Sequence, residues 1–151
     1  MIRDATEDDI PEILAMGRKF FDLAGWSEVA EWDDASVTAT LNHLIGSDDG
    51  ILLVIDDGAG RITGMAGALL YPFYLNIKHR TGQELFWWVE PEARGREALE
   101  LFDALENRAR GQGAMSFAMI TVEGLRSAAL GRYYRRRGYR AAETTYIKFS
   151  L

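Results

Sequence analysis

The stretch from residue 84 to residue 110 most constrains the fold, because it places a strand, a short turn and a helix in direct succession. The letters ELFWWV at residues 84–89 are apolar and aromatic, which is typical of a buried strand. Pro91 ends that strand, and residues 98–110 then carry apolar side chains at helical spacing. A strand that turns at once into a helix leaves unpaired N–H groups and a positive helix end at the turn. The sequence therefore predicts an anion site there.

The rest of the chain alternates between strand and helix periodicity, without an internal repeat, low-complexity tract or linker. From residue 51, the letters ILLVIDDGAGRITGMAGALLY predict two strands joined by a turn at Asp56–Gly60. In total, the patterns predict strands at residues 1–5, 51–55, 61–71, 84–89, 116–122 and 144–151, and helices after Thr6, after Asp34, at 98–110 and within 124–138. This order predicts one mixed α/β domain spanning residues 1–151.

Composition limits the chain to one hydrophobic core and excludes several kinds of chemistry. With 151 residues, of which 48% are hydrophobic, the chain has enough apolar material for one globular domain. It has no cysteine, which excludes disulfides, thiolate metal sites and cysteine nucleophiles. The N-terminus lacks the apolar stretch of a signal peptide, and no apolar run approaches the ~18 residues that would span a bilayer. We therefore expect a cytoplasmic protein without a membrane partner.

Charge is distributed unevenly along the chain. The net charge is -6 at pH 7, yet residues 94–151 hold eleven basic and six acidic side chains. An acidic protein is a poor general binder of nucleic acid, whereas a locally basic region can hold a compact anion. The densest basic cluster could contact nucleic acid, assist phosphate binding or face solvent; it comprises Arg132, Arg135, Arg136, Arg137 and Arg140. His43 and His79 lack a second ligand at metal spacing, so we expect no metal.

The letters VEPEARGREALELFDALE, residues 89–106, resemble the acyl-CoA-binding motif of the GNAT superfamily of N-acetyltransferases. The order of elements also resembles that family over nearly the whole chain. The resemblance implies an α/β (α+β) fold, with a largely antiparallel central sheet of about six to seven strands and about four helices on both faces. It also implies that acetyl-CoA is the co-substrate, that the acceptor is an amine, and that a homodimer is possible.

The resemblance assigns coenzyme A binding to the end of the strand and to the turn, with one departure from the family pattern. The residues at the positions that would bind coenzyme A are Trp88, Val89, Arg94, Gly95, Arg96, Glu97 and Ala98. Glu97 stands where the family has its central glycine, and Leu99 stands where it has a last small residue, a position that Ala98 takes if the loop is one residue shorter. Glycine is needed only if the backbone adopts a positive φ or if the ligand presses against the Cα atom. If Glu97 lies in the first helical turn, its amide can still point at phosphate, although its carboxylate would repel the anion.

The resemblance also implies three catalytic groups. In the letters RYYRRRGY, Tyr134 stands four residues before Gly138, where the family places the general acid for the departing thiolate. Glu84 matches a strand carboxylate that deprotonates the attacking amine, and the N–H of Val89 would stabilise the oxyanion. Each side chain also has a structural interpretation, Tyr134 as an aromatic packed on the sheet and Glu84 as a surface residue at a strand end. An offset of one residue in the strand would change the face that Glu84 meets.

Two further segments bear on the acceptor. Residues 20–34 mix aromatic with acidic side chains, and in the family this region commonly lines the acceptor pocket. Aromatic walls together with Glu28, Glu31, Asp33 or Asp34 would suit a cationic amine. Residues 71–82 form either an aromatic loop near the acceptor or a plain strand connection.

The predicted function is transfer of an acetyl group from acetyl-CoA to a primary amine of a small molecule or protein, by direct attack in a ternary complex. The main alternative is a degenerate module of the same fold that acts through protein partners, because the central glycine of the turn is replaced. A nucleic-acid-binding protein is a third interpretation, which the acidic net charge disfavours.

Overall fold

In a computed structural model that describes residues 1–149, a five-stranded sheet carries helices on both of its faces. The strands are β1 (Ile2–Asp4), β2 (Gly50–Asp56), β3 (Ile62–Phe73), β4 (Asn76–Val89) and β5 (Ser116–Ala118). The helices are α1 (Ile10–Leu23), α2 (Asp34–Gly46), α3 (Arg96–Gly111) and α4 (Ser127–Arg136). Neighbouring strands in the order β1-β2-β3-β4-β5 are antiparallel, except that β5 runs parallel to β4. This arrangement confirms the predicted fold class.

Two hydrophobic clusters hold the helices against the sheet. On one face, α1 and α2 bury Ile13 and Leu41 against Val54 of β2. On the other face, α3 buries Leu101 and Leu105 against the opposite side of the same strands. Burial of apolar surface on both faces explains why the residues of β2 form a nearly continuous apolar run rather than an alternating one.

The predicted strand count of six to seven is wrong, because the structure has five strands within residues 1–149. The expected strand at residues 116–122 shortens to Ser116–Ala118, and residues 144–149 form no strand. Residues 150 and 151, which complete the expected closing strand, lie outside the described part of the chain. The physical reason is that β5 pairs with β4 only opposite Thr81–Gln83, after which the chain leaves the sheet and its ladder of hydrogen bonds ends.

The segment at residues 71–82 is a strand connection rather than an aromatic loop. Strands β3 and β4 continue through it to a tight turn at Tyr74 and Leu75, so β4 is much longer than residues 84–89. Helix α3 likewise starts at Arg96, two residues earlier than its apolar pattern indicates. Both extensions are local and leave the predicted order of elements unchanged.

A β-bulge in β4 sets the direction in which Glu84 points. Gly67 of β3 faces Phe86, whereas the next residue, Ala68, faces Glu84, so Leu85 is an extra residue in β4. Leu85 and Phe86 both pack on the α1–α2 face of the sheet. The bulge thereby reverses the alternation of side chains, and Glu84 points toward the face that carries α4.

Phe102 joins α3 to α4, and its removal is expected to destabilise the protein strongly. The ring is 1% exposed and lies 5.5 Å from the ring centre of Trp87, 5.3 Å from Tyr133 and 5.9 Å from Tyr134. We expect Phe102→Ala to lower the free energy of unfolding by about 3–5 kcal/mol, measured by urea denaturation. Leu99→Ala, at a 45% exposed position of the same helix, is the matched control and is expected to cost less than about 1 kcal/mol. Equal losses of unfolding free energy for the two variants would show that Phe102 does not hold α4 against α3.

Candidate active site

The edge of β4 that faces β5 is open beyond Gln83, because the two strands stop pairing there. We call the gap between residues 84–89 and residues 119–122 the β4–β5 wedge. The N–H of Glu90 donates to the carbonyl of Thr63 at 2.9 Å, which makes Glu90 and Thr63 a hydrogen-bonded pair across β3 and β4. Along an antiparallel strand, successive N–H groups point alternately toward and away from a given neighbouring strand. The N–H groups of Val89 and Trp87 therefore point away from β3 and into the wedge.

Glu84 supplies a buried carboxyl group at the inner end of the wedge. Its side chain is turned there by the bulge and the residue is only 5% exposed. One carboxylate oxygen, Oε2, accepts a hydrogen bond of 2.9 Å from the N–H of Ile120. Burial removes the carboxylate from water and raises the pKa of Glu84 to about 7, although the Ile120 N–H opposes that shift. A carboxyl group with this pKa can accept a proton near neutral pH.

Tyr134 reaches the same place from α4. Its hydroxyl donates to the carbonyl of Ile120 at 3.2 Å, and its ring stacks on Phe102. Burial, and then the charge of Glu84, raise the pKa of Tyr134 above its ordinary value of 10.0, so the phenol keeps its proton at neutral pH. The backbone of Ile120 therefore contacts both groups: its N–H donates to the carboxylate of Glu84, and its carbonyl accepts from the hydroxyl of Tyr134. Glu84 can accept a proton and Tyr134 can donate one.

The turn between β4 and α3 presents an uncapped helix N-terminus. Gly95 precedes the helix with φ 156° and ψ -134°, a conformation that glycine adopts at little cost. No side chain caps the helix, and the N–H groups of Arg96, Glu97 and Ala98 find no acceptor within residues 1–149. These groups, together with the helix dipole, make the turn suitable for an anion.

The charged side chains around this turn differ in availability. The Nε of Arg94 donates to the carbonyl of Val89 at 2.9 Å, its guanidinium lies 5.0 Å from the ring centre of Trp88, and within the described residues it forms no salt bridge. Arg96 is 90% exposed at its side chain and pairs with Glu100 at 2.6 Å. Within residues 1–149, the charge of Arg94 is thus not paired with a carboxylate, whereas that of Arg96 is.

The replaced glycine at position 97 is accommodated without strain. Glu97 lies in the first turn of α3, and it is not among the residues with positive φ. Its half-exposed carboxylate lies 3.7 Å from the terminal ammonium group of Met1. The structure thus meets the condition under which the Glu97 amide stays available to an anion.

The sequence matches the model of the acetyltransferase (GNAT) family over residues 17–139, which include β2 to β5 and both Glu84 and Tyr134. The chain belongs to this family. Membership indicates an acetyltransferase, and it confirms the resemblance drawn from the strand, turn and helix at residues 89–106. Among curated protein sequences, none matches this chain.

Solved structures share the GNAT fold at low sequence identity. A predicted acetyltransferase with acetyl-CoA from Clostridium acetobutylicum is 19% identical, with a TM-score of 0.75 over 100% of this chain and 96% of that one. The ribosomal-protein-alanine N-acetyltransferase from Brucella melitensis biovar Abortus 2308 is 17% identical, with a TM-score of 0.70 over 98% of each chain. The glucosamine-6-phosphate N-acetyltransferase from Arabidopsis thaliana is 16% identical, with a TM-score of 0.69 over 99% and 97%.

Within the GNAT fold, the structure adds residues that sequence patterns did not indicate. Ile120 acts through its backbone, which leaves no signature in the sequence. Glu90, 7% exposed, accepts from Lys19 of α1 at 2.5 Å and ties the turn to that helix. Trp88 is assigned to coenzyme A binding by resemblance, but its backbone N–H and carbonyl point toward Met65 of β3. Those of Trp87 point into the wedge instead.

The acidic residues of the segment 20–34 serve local roles or lie in solvent. Asp33 caps α2 by accepting from the N–H of Ser36 at 2.9 Å, and Asp34 accepts from the indole of Trp32 at 2.6 Å. Glu28 and Glu31 are exposed. No group of three His, Asp or Glu side chains is placed to hold a metal within residues 1–149, and no helix among them is long and apolar enough to cross a membrane.

Proposed function

We propose that this chain transfers an acetyl group from acetyl-CoA to a primary amine of a small molecule or protein, by direct attack in a ternary complex. The observation that carries the proposal is the meeting of Glu84 and Tyr134 on the backbone of Ile120, beside the outward N–H groups of β4. One group can accept a proton and the other can donate one at neutral pH. Acyl transfer from a thioester to an amine removes protons from the nitrogen and adds one to the departing sulfur, so positioned groups of both kinds speed it.

Glu84 is proposed as the base that activates the acceptor. An alkylamine with a pKa of about 10.4 is mostly protonated at neutral pH, and only its neutral form has the lone pair for attack. The carboxylate of Glu84 takes one proton from the amine, directly or through a water molecule. Its raised pKa of about 7 makes it a stronger base than an ordinary carboxylate.

Val89 and Tyr134 are proposed to act on the thioester. As nitrogen adds to the carbonyl carbon, negative charge develops on the oxygen, and the N–H of Val89 stabilises it. When the carbon–sulfur bond breaks, Tyr134 gives its proton to the thiolate, which leaves as coenzyme A thiol. The nitrogen, now bonded to the acetyl group, loses its second proton to the Tyr134 phenolate through water, and Glu84 releases its proton to solvent. The products are the N-acetylated amine and coenzyme A, and no covalent enzyme intermediate is needed.

The turn at residues 94–98 is proposed to hold the pyrophosphate of acetyl-CoA. The free N–H groups at the start of α3 can donate to phosphate oxygens, and the guanidinium of Arg94 adds a full positive charge. The carboxylate of Glu97, in the first turn of the helix, weakens this attraction.

Titration calorimetry with acetyl-CoA tests this proposal. We expect saturable binding, and we expect Arg94→Ala to raise Kd by about 10- to 100-fold, because a hydrogen bond to a charged group contributes roughly 1.5–3 kcal/mol. The matched control is Arg96→Ala, which removes an exposed cation already paired with Glu100, and a change below about threefold is expected. Equal effects of the two variants, or no binding by the unmodified protein, would contradict the proposed pyrophosphate site.

The alternative of a binding module rests on the carboxylate that Glu97 brings to the first turn of α3. That alternative predicts poor or no acetyl-CoA binding and no effect of Tyr134→Phe on the function of the protein in cells. The same calorimetric titration therefore separates the two proposals.

A further inference from the structure

The α1–α2 face of the sheet carries a cavity of about 240 Å³ between the two helices and β4. Its walls are largely aromatic and its floor is the bulged part of β4; these residues are Phe20, Phe21, Trp26, Trp32, Leu85 and Phe86. Among residues 1–149, none of the side chains that line it carries a charge. A cavity of about 280 Å³ elsewhere, near Asp4 and Arg108, is lined by no residue of β4.

The uncharged lining determines which part of an acceptor the cavity can take. A second ammonium group of a polyamine or aminoglycoside would be buried there without a carboxylate partner, which is costly. The acids closest in sequence do not line it, and Asp34 instead fixes the indole of Trp32. The rings of Trp32 and Phe21 lie edge to face, with centres 5.4 Å apart, so part of the wall is held in place before a ligand arrives.

The cavity volume limits the size of that group. An apolar cavity of about 150 Å³ is known to accept benzene. A volume of about 240 Å³ therefore holds one aromatic ring with a short carbon arm.

The stretch of β4 that forms the floor of this cavity also carries the proposed base, on its other face. Leu85 and Phe86 form the floor, and Glu84 is the preceding residue, one Cα spacing of about 3.8 Å away. Because the bulge turns Leu85 to the cavity and Glu84 to the wedge, the cavity and the base lie on opposite faces of the same short stretch of β4.

We infer that the acceptor is a primary amine carried on a single aromatic or similarly compact apolar group, which occupies this cavity. The inference rests on the proposed function, since it names the substrate class of that site. The amine is the only charged group of the acceptor, and it reaches Glu84 around the edge of β4 that is unpaired with β5 beyond Gln83. The cavity selects against acceptors with a second cationic group.

The test is calorimetric titration of the full chain with 2-phenylethylamine and, separately, with spermidine. We expect 2-phenylethylamine to bind at least about tenfold more tightly than spermidine. Val37→Phe fills the cavity from α2 and is expected to weaken 2-phenylethylamine binding at least about tenfold. The matched control is Ala39→Phe, which adds a ring at an exposed position of the same helix that does not line the cavity. The affinity of this variant for 2-phenylethylamine should be unchanged.

A second variant keeps the inference testable if Val37→Phe does not fold. Val37→Ala enlarges the cavity and is expected to shift the preference from 2-phenylethylamine toward the bulkier tryptamine. The inference is overturned if spermidine binds more tightly than 2-phenylethylamine, or if the variants at positions 37 and 39 behave alike. It is also overturned if Val37→Phe weakens octanoyl-CoA binding and leaves 2-phenylethylamine binding intact, because the cavity would then hold an acyl chain.

An acetylation assay with the same two amines separates this inference from the proposed function. If binding of 2-phenylethylamine depends on Val37 but neither amine is acetylated, the proposed function is contradicted and the inferred class of ligand is retained. Acetylation of spermidine without binding of 2-phenylethylamine would support the function and overturn the inferred substrate class.

Discussion

Glu84→Gln is expected to lower kcat by about two to four orders of magnitude, the range typical for loss of a general base. Glutamine keeps the size of the side chain and can still accept the hydrogen bond from the N–H of Ile120, but it cannot take a proton. The affinity for acetyl-CoA should be unchanged, because the proposed pyrophosphate site is the turn beyond β4. Steady-state kinetics together with calorimetric titration would measure both quantities.

The pH profile distinguishes a base from a merely structural carboxyl group. Glu84 must be ionised to accept a proton, and burial raises its pKa to about 7. The rate of the unmodified protein should therefore rise with pH up to about 7 and level off above it. Glu84→Gln should lose this rise of the rate with pH, in addition to its loss of kcat. If Glu84→Gln keeps both kcat and the rise of the rate with pH, Glu84 is excluded as the base.

The same pKa shift predicts the effect of Glu84→Gln on stability. The carboxyl group has an ordinary pKa of 4.5 and a pKa of about 7 when folded, so between these values the folded state binds more protons than the unfolded state. Stability contributed by this group falls as pH rises through that window and stays lower above it. Glutamine never ionises, so at pH about 8 the variant should have a Tm at least equal to that of the unmodified protein, with a smaller advantage at pH about 5. A lower Tm at pH about 8 would indicate that the carboxylate supports the fold.

Tyr134→Phe is expected to lower kcat by about two to three orders of magnitude and to leave the Kd for acetyl-CoA unchanged. The hydroxyl is the proposed proton donor to the thiolate, and phenylalanine keeps the ring that stacks on Phe102. The pKa of Tyr134 lies above its ordinary value of 10.0, so no loss of rate from its ionisation is expected below pH about 10. Kinetics and calorimetric titration on the same preparation would check both parts.

Tyr133→Phe is the matched control for this prediction. Tyr133 lies next to Tyr134 on α4, packs on Trp87 and Phe102, and donates no hydrogen bond among the described residues. Its variant should therefore retain kcat within about threefold. If both variants lose rate equally, packing of α4 rather than the Tyr134 hydroxyl is responsible.

The sequence by itself determined the kinds and order of the first elements, because their signals are local. Helix α2 ends at Gly46 as predicted and begins at Asp34, one residue earlier than predicted, since the acidic cap Asp33 and a glycine near the end act within one turn of the helix. The turn at residues 56–60 joins β2 and β3 as predicted, because glycines there adopt positive φ. The uncapped helix N-terminus at the turn before α3 was also readable, since the end of a strand and the start of a helix are adjacent in the chain.

Strand pairing far along the chain could not be read in the same way. Residues 116–122 have the composition of a strand, but only three of them pair with β4. Whether a residue joins a ladder depends on a partner that lies tens of residues away, and composition describes only the residue itself. The expected strand at 144–149 was wrong for the same reason.

Only the tertiary structure decided how the site is assembled. A single extra residue at Leu85 turns Glu84 away from α1 and α2, and no periodicity in the sequence marks that bulge. The N–H of Ile120 comes to Glu84 across 36 positions of sequence, and its carbonyl meets Tyr134 from the other side. Backbone groups are the same in every residue, so their role depends on where the fold places them. The sequence thus determined which side chains were available for chemistry, whereas burial and contacts between distant segments decided which of them meet.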